Sequence, residues 1–403
     1  LLDQKTIDVI KSTVPVLAEY GEKITTVFYQ QMFKAHPELL NIFNHANQKQ
    51  GRQQQALAAT VYAAASYIDN LEAIIPAVKQ IAHKHRSLGI KPEHYPIVGT
   101  HLLGAIKDVL GPAATDEIIE AWGRAYNIIA DVFISIEAEM YDEAKKQLGG
   151  WEGFKPFVVV DKVKESDVIT SFYLKPEDGF LPAQFKPGQY ISIKIEAEGE
   201  RFTHIRQYSL SNAPGKDYYR ISVKRESGND KPEGIVSNYL HDAVNKGDAV
   251  SISAPAGEFI LDMEKDNPLV LISGGVGITP LASMLNAIVD LQPERPVTFI
   301  HAAGNSKVHA LRDEIERASA RGNAKSIVFY DQPLNEDQEQ NLFDFKGYIS
   351  REWLEDYIKL DDAEFYFCGP VPFMKSINAS LRELGVPEER IHFEFFGPKG
   401  NLE

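Results

Sequence analysis

The chain has 403 residues, a formal net charge of -15, 44% hydrophobic and 25% charged residues, and one cysteine. Such a length suits two or three domains with cores of their own, and so acidic a surface excludes nucleic acid or an anionic membrane as the main partner. The single Cys368 excludes an intrachain disulfide and fits a reducing cytoplasm. No apolar run approaches the roughly 18 residues of a membrane span. The opening LLDQKTIDVIKSTVP lacks the basic-then-apolar order of a signal peptide, so a cytoplasmic chain with no stable membrane association is expected.

Residues 1–147 read as helices. In TIDVIKSTVPVLAEYGEKITTVFYQQMF, apolar Ile7, Ile10, Val14 and Leu17, then Ile24, Val27 and Phe28, recur at helical spacing. Breaks fall at His36–Pro37, Gly89–Pro92 and Gly111–Pro112. Within QIAHKHRSLGI, His83 and His85 are two apart. On a helix that places them about 200° apart, so they cannot share one ion and at most one faces inward. From this window alone, two ordinary helix histidines, one half-buried and one solvated, are the favoured reading over a ligand.

The pattern changes at LGGWEGFKPF. Over residues 148–264, the short alternating runs FVVVDKV, ITSFYL, GQYISIKI, HIRQYSL, YYRISVKR and AVSISAP predict an antiparallel β-barrel. Over residues 265–403, the apolar strands PLVLIS, VTFIHA, SIVFYD and EFYFCG alternate with the helical LASMLNAIVDL and ALRDEIERASA, which predicts a doubly wound parallel α/β sheet. The expected order is therefore all-α, β-barrel, α/β.

Two motifs carry chemistry. In PLVLISGGVGITPLASMLNAI an apolar strand runs into Gly274, Gly275 and Gly277. Glycines there let a pyrophosphate approach a helix N-terminus, with Thr279 expected as the helix cap and Pro280 in its first turn. A plain tight turn also fits, because the pattern is not G-x-G-x-x-G. In IRQYSL, Arg206 offers a phosphate fork, Tyr208 a ring to stack and Ser209 a hydrogen bond. Alternation puts Arg206 and Tyr208 on one face and Ser209 on the other, so a cofactor touching both needs a twist or bulge.

PGQY, RQYS, GIVSNYL, GGVGITP and YFCGP, in that order, resemble the ferredoxin-NADP reductase superfamily over roughly residues 152–403. The resemblance implies FAD on the barrel, held by Tyr190, Arg206, Gln207, Tyr208, Ser209, Val236, Ser237, Phe395, Phe396, Gly397 and Pro398. It implies NADH or NADPH on the α/β domain, at Gly275, Val276, Gly277, Ile278, Thr279, Pro280, Cys368, Gly369 and Pro370. No arginine cluster follows the strand ending at Ala302, and Asp331 follows the next strand; this leans toward NADH. The loop RESGNDKPEGIVS is longer and more polar than a tight pyrophosphate loop requires.

FYQQMF, HPELLNIFN, QQQALA, AHKHRSLGIKPEHYPIVG and YNIIADVFISIEAEMY extend the likeness, and the whole chain resembles the flavohaemoglobins, bacterial and yeast nitric oxide dioxygenases. The resemblance makes residues 1–147 a globin domain carrying haem b. It picks His85 as the proximal iron ligand and leaves His83 off the metal. It places Tyr29 beside bound O₂, with Gln53 and Leu57 lining the distal pocket and Phe43 against the porphyrin. It makes Tyr95 and Glu137 a proximal relay, and Lys84 and Glu394 tuners of the haem and flavin potentials. Singly, Tyr29, Phe43 and Leu57 also fit a core, and Gln53, Lys84 and Glu137 a solvated helix face. The implied reaction converts nitric oxide and O₂ to nitrate at the expense of NAD(P)H, in a monomer. The rivals are a haem-flavin reductase acting on peroxides or lipid hydroperoxides, an oxygen sensor or store, and a flavin reductase whose helical part holds no haem.

Overall fold

The structure, a computed structural model, describes residues 2–227, 233–397 and 402. Seven helices come first: α1 (Gln4–Ser12), α2 (Val14–Ala35), α3 (His45–Lys49), α4 (Arg52–Ser66), α5 (Ile75–Leu88), α6 (His94–Leu110) and α7 (Asp116–Lys146). The run TIDVIKSTVPVLAEYGEKITTVFYQQMF forms two helices, split at Thr13. The Thr13 hydroxyl donates to the Ile10 carbonyl at 2.6 Å and accepts from the Trp122 indole at 3.2 Å. Proline in the first turn of α2 fits the fresh start. The three expected breaks are helix ends. Gly89 closes α5 at φ 80°, in the left-handed region that glycine enters without penalty. None of the described helices is long and apolar enough to cross a membrane.

The barrel follows, with β1 (Phe154–Lys164), β2 (Ile169–Pro176), β3 (Tyr190–Ile195), β4 (His204–Ser209), β5 (Tyr219–Lys224), α8 (Ile235–Asp242) and β6 (Ala249–Ser253). Its antiparallel sheet runs β4-β3-β6-β1-β2-β5 and closes through a Leu210–Ile221 bridge. Phe157, Phe172, Ile191, Ile193, Ile221 and Ile252 fill its interior.

The last unit has β7 (Leu269–Gly274), α9 (Ile278–Leu291), β8 (Val297–Ala303), α10 (Arg312–Arg321), β9 (Ala324–Tyr330), α11 (Asn335–Glu339), β10 (Phe345–Lys346), α12 (Arg351–Tyr357), β11 (Glu364–Cys368), α13 (Val371–Glu383) and β12 (Ile391–Glu394). The sheet is parallel throughout, in the order β10-β9-β8-β7-β11-β12. Helices α9 and α10 cover one face, α12 and α13 the other. The expected order of all-α unit, barrel and doubly wound sheet is the order observed. The short edge strands β10 and β12 add to the four strands read from the sequence.

The units are joined by specific contacts. Arg86 of α5 donates to the Pro255 carbonyl, and Thr203 donates to the Asn41 carbonyl at 2.9 Å. Arg220 of β5 makes a bidentate pair with Glu314 of α10, at 2.5 and 2.9 Å.

Candidate functional site

A cavity with about 330 Å³ of water-accessible room opens among the helices and continues to the barrel. Tyr29, Phe43, Gln53, Leu57, Lys84, His85 and Tyr95 line it on the helical side, and Tyr190, Gln207, Glu394 and Gly397 on the far side. One space therefore connects the residues expected around the haem with several of those expected around the flavin.

His85 owes its setting to α5, which presents it to this cavity and keeps His83 out of the lining. The Glu137 carboxylate, on α7, receives the His85 Nδ1 at 2.8 Å and the Tyr95 hydroxyl at 2.7 Å on the same oxygen. Glu137 is only 3% exposed, so it is no solvated face residue, and Lys84 is likewise half-buried in the cavity wall. With Nδ1 held, the other ring nitrogen of His85 is the one left for a metal. Among the described residues no three His, Cys, Asp or Glu side chains could hold an ion by themselves. A lone imidazole in an apolar cavity, braced by a carboxylate, is the donor set of an iron whose remaining ligands come with a macrocycle. Burial pushes the His83 imidazole down to about 4 and leaves its Nδ1 without a partner. It is a neutral packing residue.

On the opposite side, Tyr29 of α2 is 4% exposed and packs edge-on against Phe28 and Phe43. Burial raises its pKa, an effect that the nearby Gln53 and Gln48 side chains oppose. The phenol is thus protonated and available as a donor at neutral pH.

In the barrel, β3 and β4 pair without a break from Tyr190–Ser209 to Ile195–His204. No bulge brings Tyr208 and Ser209 to one face. Ser209 lies opposite Tyr190, and Gln207 opposite Ser192, toward the helical unit. Arg206 and Tyr208 lie opposite Ile193 and Ile191. A molecule reaching both faces must wrap around this edge strand. The Arg206 guanidinium donates to the Ile205 carbonyl at 2.7 Å. Val236 and Ser237 open α8 and are buried, and the Ser237 hydroxyl accepts from the Glu226 N–H at 3.2 Å. Phe395 packs on the α/β core, and Phe396 is 45% exposed. Pro398 and residues 228–232 of the polar loop lie outside the described residues.

In the α/β unit, Gly275 takes φ 53° in the turn after β7. A Cβ on Gly277 would lie 2.2 Å from the Cys368 carbonyl oxygen, so only glycine lets these two strand ends meet. The expected cap is corrected here. Thr279 lies inside α9, with Ile278 ahead of it and Pro280 after it, and its hydroxyl donates back to the Val276 carbonyl at 3.0 Å. Consequently no side chain caps α9; its Ile278 N–H turns back to the Gly275 and Val276 carbonyls, and Pro280 brings no N–H to the first turn. Cys368, Gly369 and Pro370 sit at the end of β11 facing this turn; the thiol is buried and donates to the Glu394 carbonyl at 3.4 Å.

Burial pushes Glu394 up to about 7, with Lys84 opposing the shift. Burial lowers Lys84, with Glu394 opposing that shift. A carboxyl whose folded pKa exceeds its unfolded value binds its proton more tightly when folded, so its contribution to stability is lost as pH rises from about 4.5 to about 7. In the cofactor-free protein, Glu394→Gln should flatten this slope, with a gain over wild type on the order of 2 kcal/mol at pH 8 and little at pH 4.5. Denaturant melts at both pH values check this.

Sequence reasoning missed the contacts that seat α5 on the barrel, made by Arg86, Ser87 and Ser192. Their one signal is polar residues beside His85, and in the strand YISIKI, where apolar ones would serve a plain core.

Three family models match: Globin over residues 26–133, Oxidoreductase FAD-binding domain over 156–260 and Oxidoreductase NAD-binding domain over 271–379. A flavohemoprotein of Bacillus anthracis is 62% identical over 404 aligned residues, covering all of both chains. That of Bacillus subtilis is 55% identical over 402, covering 100% of this chain and 99% of its own. The crystal structure of a flavohemoglobin from Malassezia yamatoensis with bound FAD and heme is similar at a TM-score of 0.85 and 29% identity, over 98% of this chain and 100% of that one. The FAD/NAD-binding domain of a Vibrio cholerae nitric oxide dioxygenase matches at a TM-score of 0.56 and 40% identity, over 60% of this chain and 99% of its own.

Proposed function

The chain belongs to the flavohemoprotein family, and from that premise we propose that it is an NAD(P)H-dependent nitric oxide dioxygenase. The observation that carries this reading is the single cavity linking His85 and Tyr29 to Tyr190, Gln207 and Glu394. Each NAD(P)H gives up a hydride, whose two electrons serve the conversion of two nitric oxide and two O₂ to two nitrate, with NAD(P)⁺ and a proton released. When bound, haem supplies an iron that takes O₂ and accepts electrons singly, and flavin exchanges both hydride and single electrons.

The chain's own residues divide the work. His85 anchors the haem, and the Glu137 carboxylate, by holding Nδ1, makes the imidazole a stronger electron donor. Tyr95 shares that carboxylate oxygen and keeps it oriented. Tyr29, kept protonated by burial, offers a hydrogen bond to O₂ in the distal pocket, while Leu57 and Phe43 keep that pocket apolar and Gln53 lines it beside the phenol. Arg206 and the start of α8 take the flavin phosphates, and Tyr190, Tyr208 and Ser209 take the ring. The uncapped start of α9 takes the nicotinamide nucleotide, NADH in preference to NADPH. Charge and the single buried cysteine support a cytoplasmic monomer.

Nitrate formation and NADH oxidation on adding nitric oxide to the aerobic holoprotein should far exceed NADH oxidation on adding hydrogen peroxide or a lipid hydroperoxide; the reverse order would favour the peroxide reductase. Tyr29→Phe removes one hydrogen bond to a polarised ligand, about 1.5–3 kcal/mol, and should speed O₂ release about 10- to 100-fold in stopped flow. An unchanged off-rate would remove Tyr29 from the mechanism.

A further inference from the structure

One line of hydrogen bonds crosses from the barrel to the helix that carries His85. The Gln207 side-chain amide donates to the Ser192 hydroxyl at 3.0 Å. Ser192 donates to the Ser87 hydroxyl at 2.9 Å, and Ser87 to the Lys84 carbonyl at 2.8 Å. Every donor points the same way, so each bond polarises the next. Ser87 and Ser192 are both 0% exposed. A buried hydroxyl deprived of its partner is strongly disfavoured, so each serine holds the other in place. Ser192 is fixed in turn by its own N–H, which donates to the Ser253 hydroxyl at 2.9 Å.

The ends of this line are telling. Gln207 and Tyr190 line the cavity at the end assigned to the flavin, and Lys84 precedes His85 in α5. A contact from the adjacent residue, from Arg86 to the Pro255 carbonyl, pins the same helix to the same barrel. We propose that Ser87 and Ser192 are positioning residues for electron transfer from flavin to haem: their paired hydroxyls lock α5 onto β3 and so fix the separation and orientation of the two cofactors. The proposal rests on the family reading above. The step it would govern is the passage of a hydride's two electrons, one at a time, to the one haem that His85 would hold, in two successive ferric-to-ferrous reductions, with NAD⁺ and a proton released. Neither serine touches the reacting atoms; both act through the helix and strand they join.

The test uses the full-length holoprotein with FAD and haem bound. Ser87→Ala, Ser192→Ala and the double variant are mixed anaerobically with NADH, and flavin bleaching and haem reduction are followed separately. Each single variant should reduce its flavin at the wild-type rate and pass electrons to haem roughly 10- to 100-fold more slowly, the scale of a misplacement near 1 Å. The double variant should be no slower than the slower single, because one shared contact is lost only once. Ser192→Cys, close in size and a weak donor, should recover part of the rate, and it keeps the test decisive if an alanine variant fails to fold. In the cofactor-free protein, amide exchange over residues 84–88 should quicken in both single variants. Haem reduction within two-fold of wild type in both, or single effects that multiply in the double variant, would overturn the proposal. Wild-type haem that NADH does not reduce at all would instead count against the family reading.

Discussion

His85→Ala should yield a folded protein with flavin absorption and no haem bands, whereas His83→Ala keeps both. The reason lies in α5. One face of that helix meets the cavity and carries His85, and a residue two positions away points elsewhere. Among the described residues, only His85 combines a place in the lining with a ring nitrogen held by a carboxylate, at 2.8 Å from Glu137. Without it, the described residues supply no cluster that could replace it as a ligand. The loss reaches beyond the metal, because Glu137 is left buried with Tyr95 as its remaining donor. The variant should therefore melt at a lower temperature than cofactor-free wild type, while the barrel, with its own core, keeps its FAD. Absorption spectra of the two purified variants decide the assignment. Haem lost from the His83 variant and kept by the His85 variant would reverse it.

Arg206→Ala should lower FAD occupancy about ten-fold or more at limiting FAD, since a charge-assisted fork to phosphate contributes roughly 1.5–3 kcal/mol. Arg206 is well suited to this. It stands on edge strand β4, half-buried, with one guanidinium nitrogen tied to the Ile205 carbonyl. Burial lowers its pKa, yet an arginine stays charged at any physiological pH. The helical unit does not share Arg206, so O₂ binding to chemically reduced haem should match wild type. Fluorimetric titration with FAD gives the first result, and O₂ binding after dithionite reduction the second.

Much of this architecture is legible in the sequence because the signals are local. Helical spacing, glycine and proline breaks and strand alternation lie within windows of ten to twenty residues, and the three-part order follows from them. The geometry of His83 and His85 likewise needs only the helix period. What escaped depends on distant partners. Thr13, between α1 and α2, is held by a hydrogen bond that the Trp122 indole, far along the chain, donates to its hydroxyl. Thr279 has the chemistry of a cap, but the turn at Gly275–Gly277 starts the helix before it. The edge strand β12 is recruited by β11 and carries Glu394 to the cavity. Taken singly, Gln53, Lys84 and Glu137 read as surface polar residues, and only the ordered resemblance assigns them roles, because nothing in their own windows reports the cavity that α4, α5 and α7 enclose. The Ser87–Ser192 bond joins residues separated by 105 positions, and no local pattern announces it.

The central claim is a serial path from nicotinamide to flavin to haem, and anaerobic mixing with NADH tests it most directly. Arg206→Ala protein stripped of FAD and carrying full haem is mixed with NADH while the haem bands are followed. Haem reduction should slow in proportion to the missing flavin and return to the wild-type rate when excess FAD is added. Haem reduced at the wild-type rate in the flavin-free variant would mean that electrons reach the iron by another route, and would contradict the account.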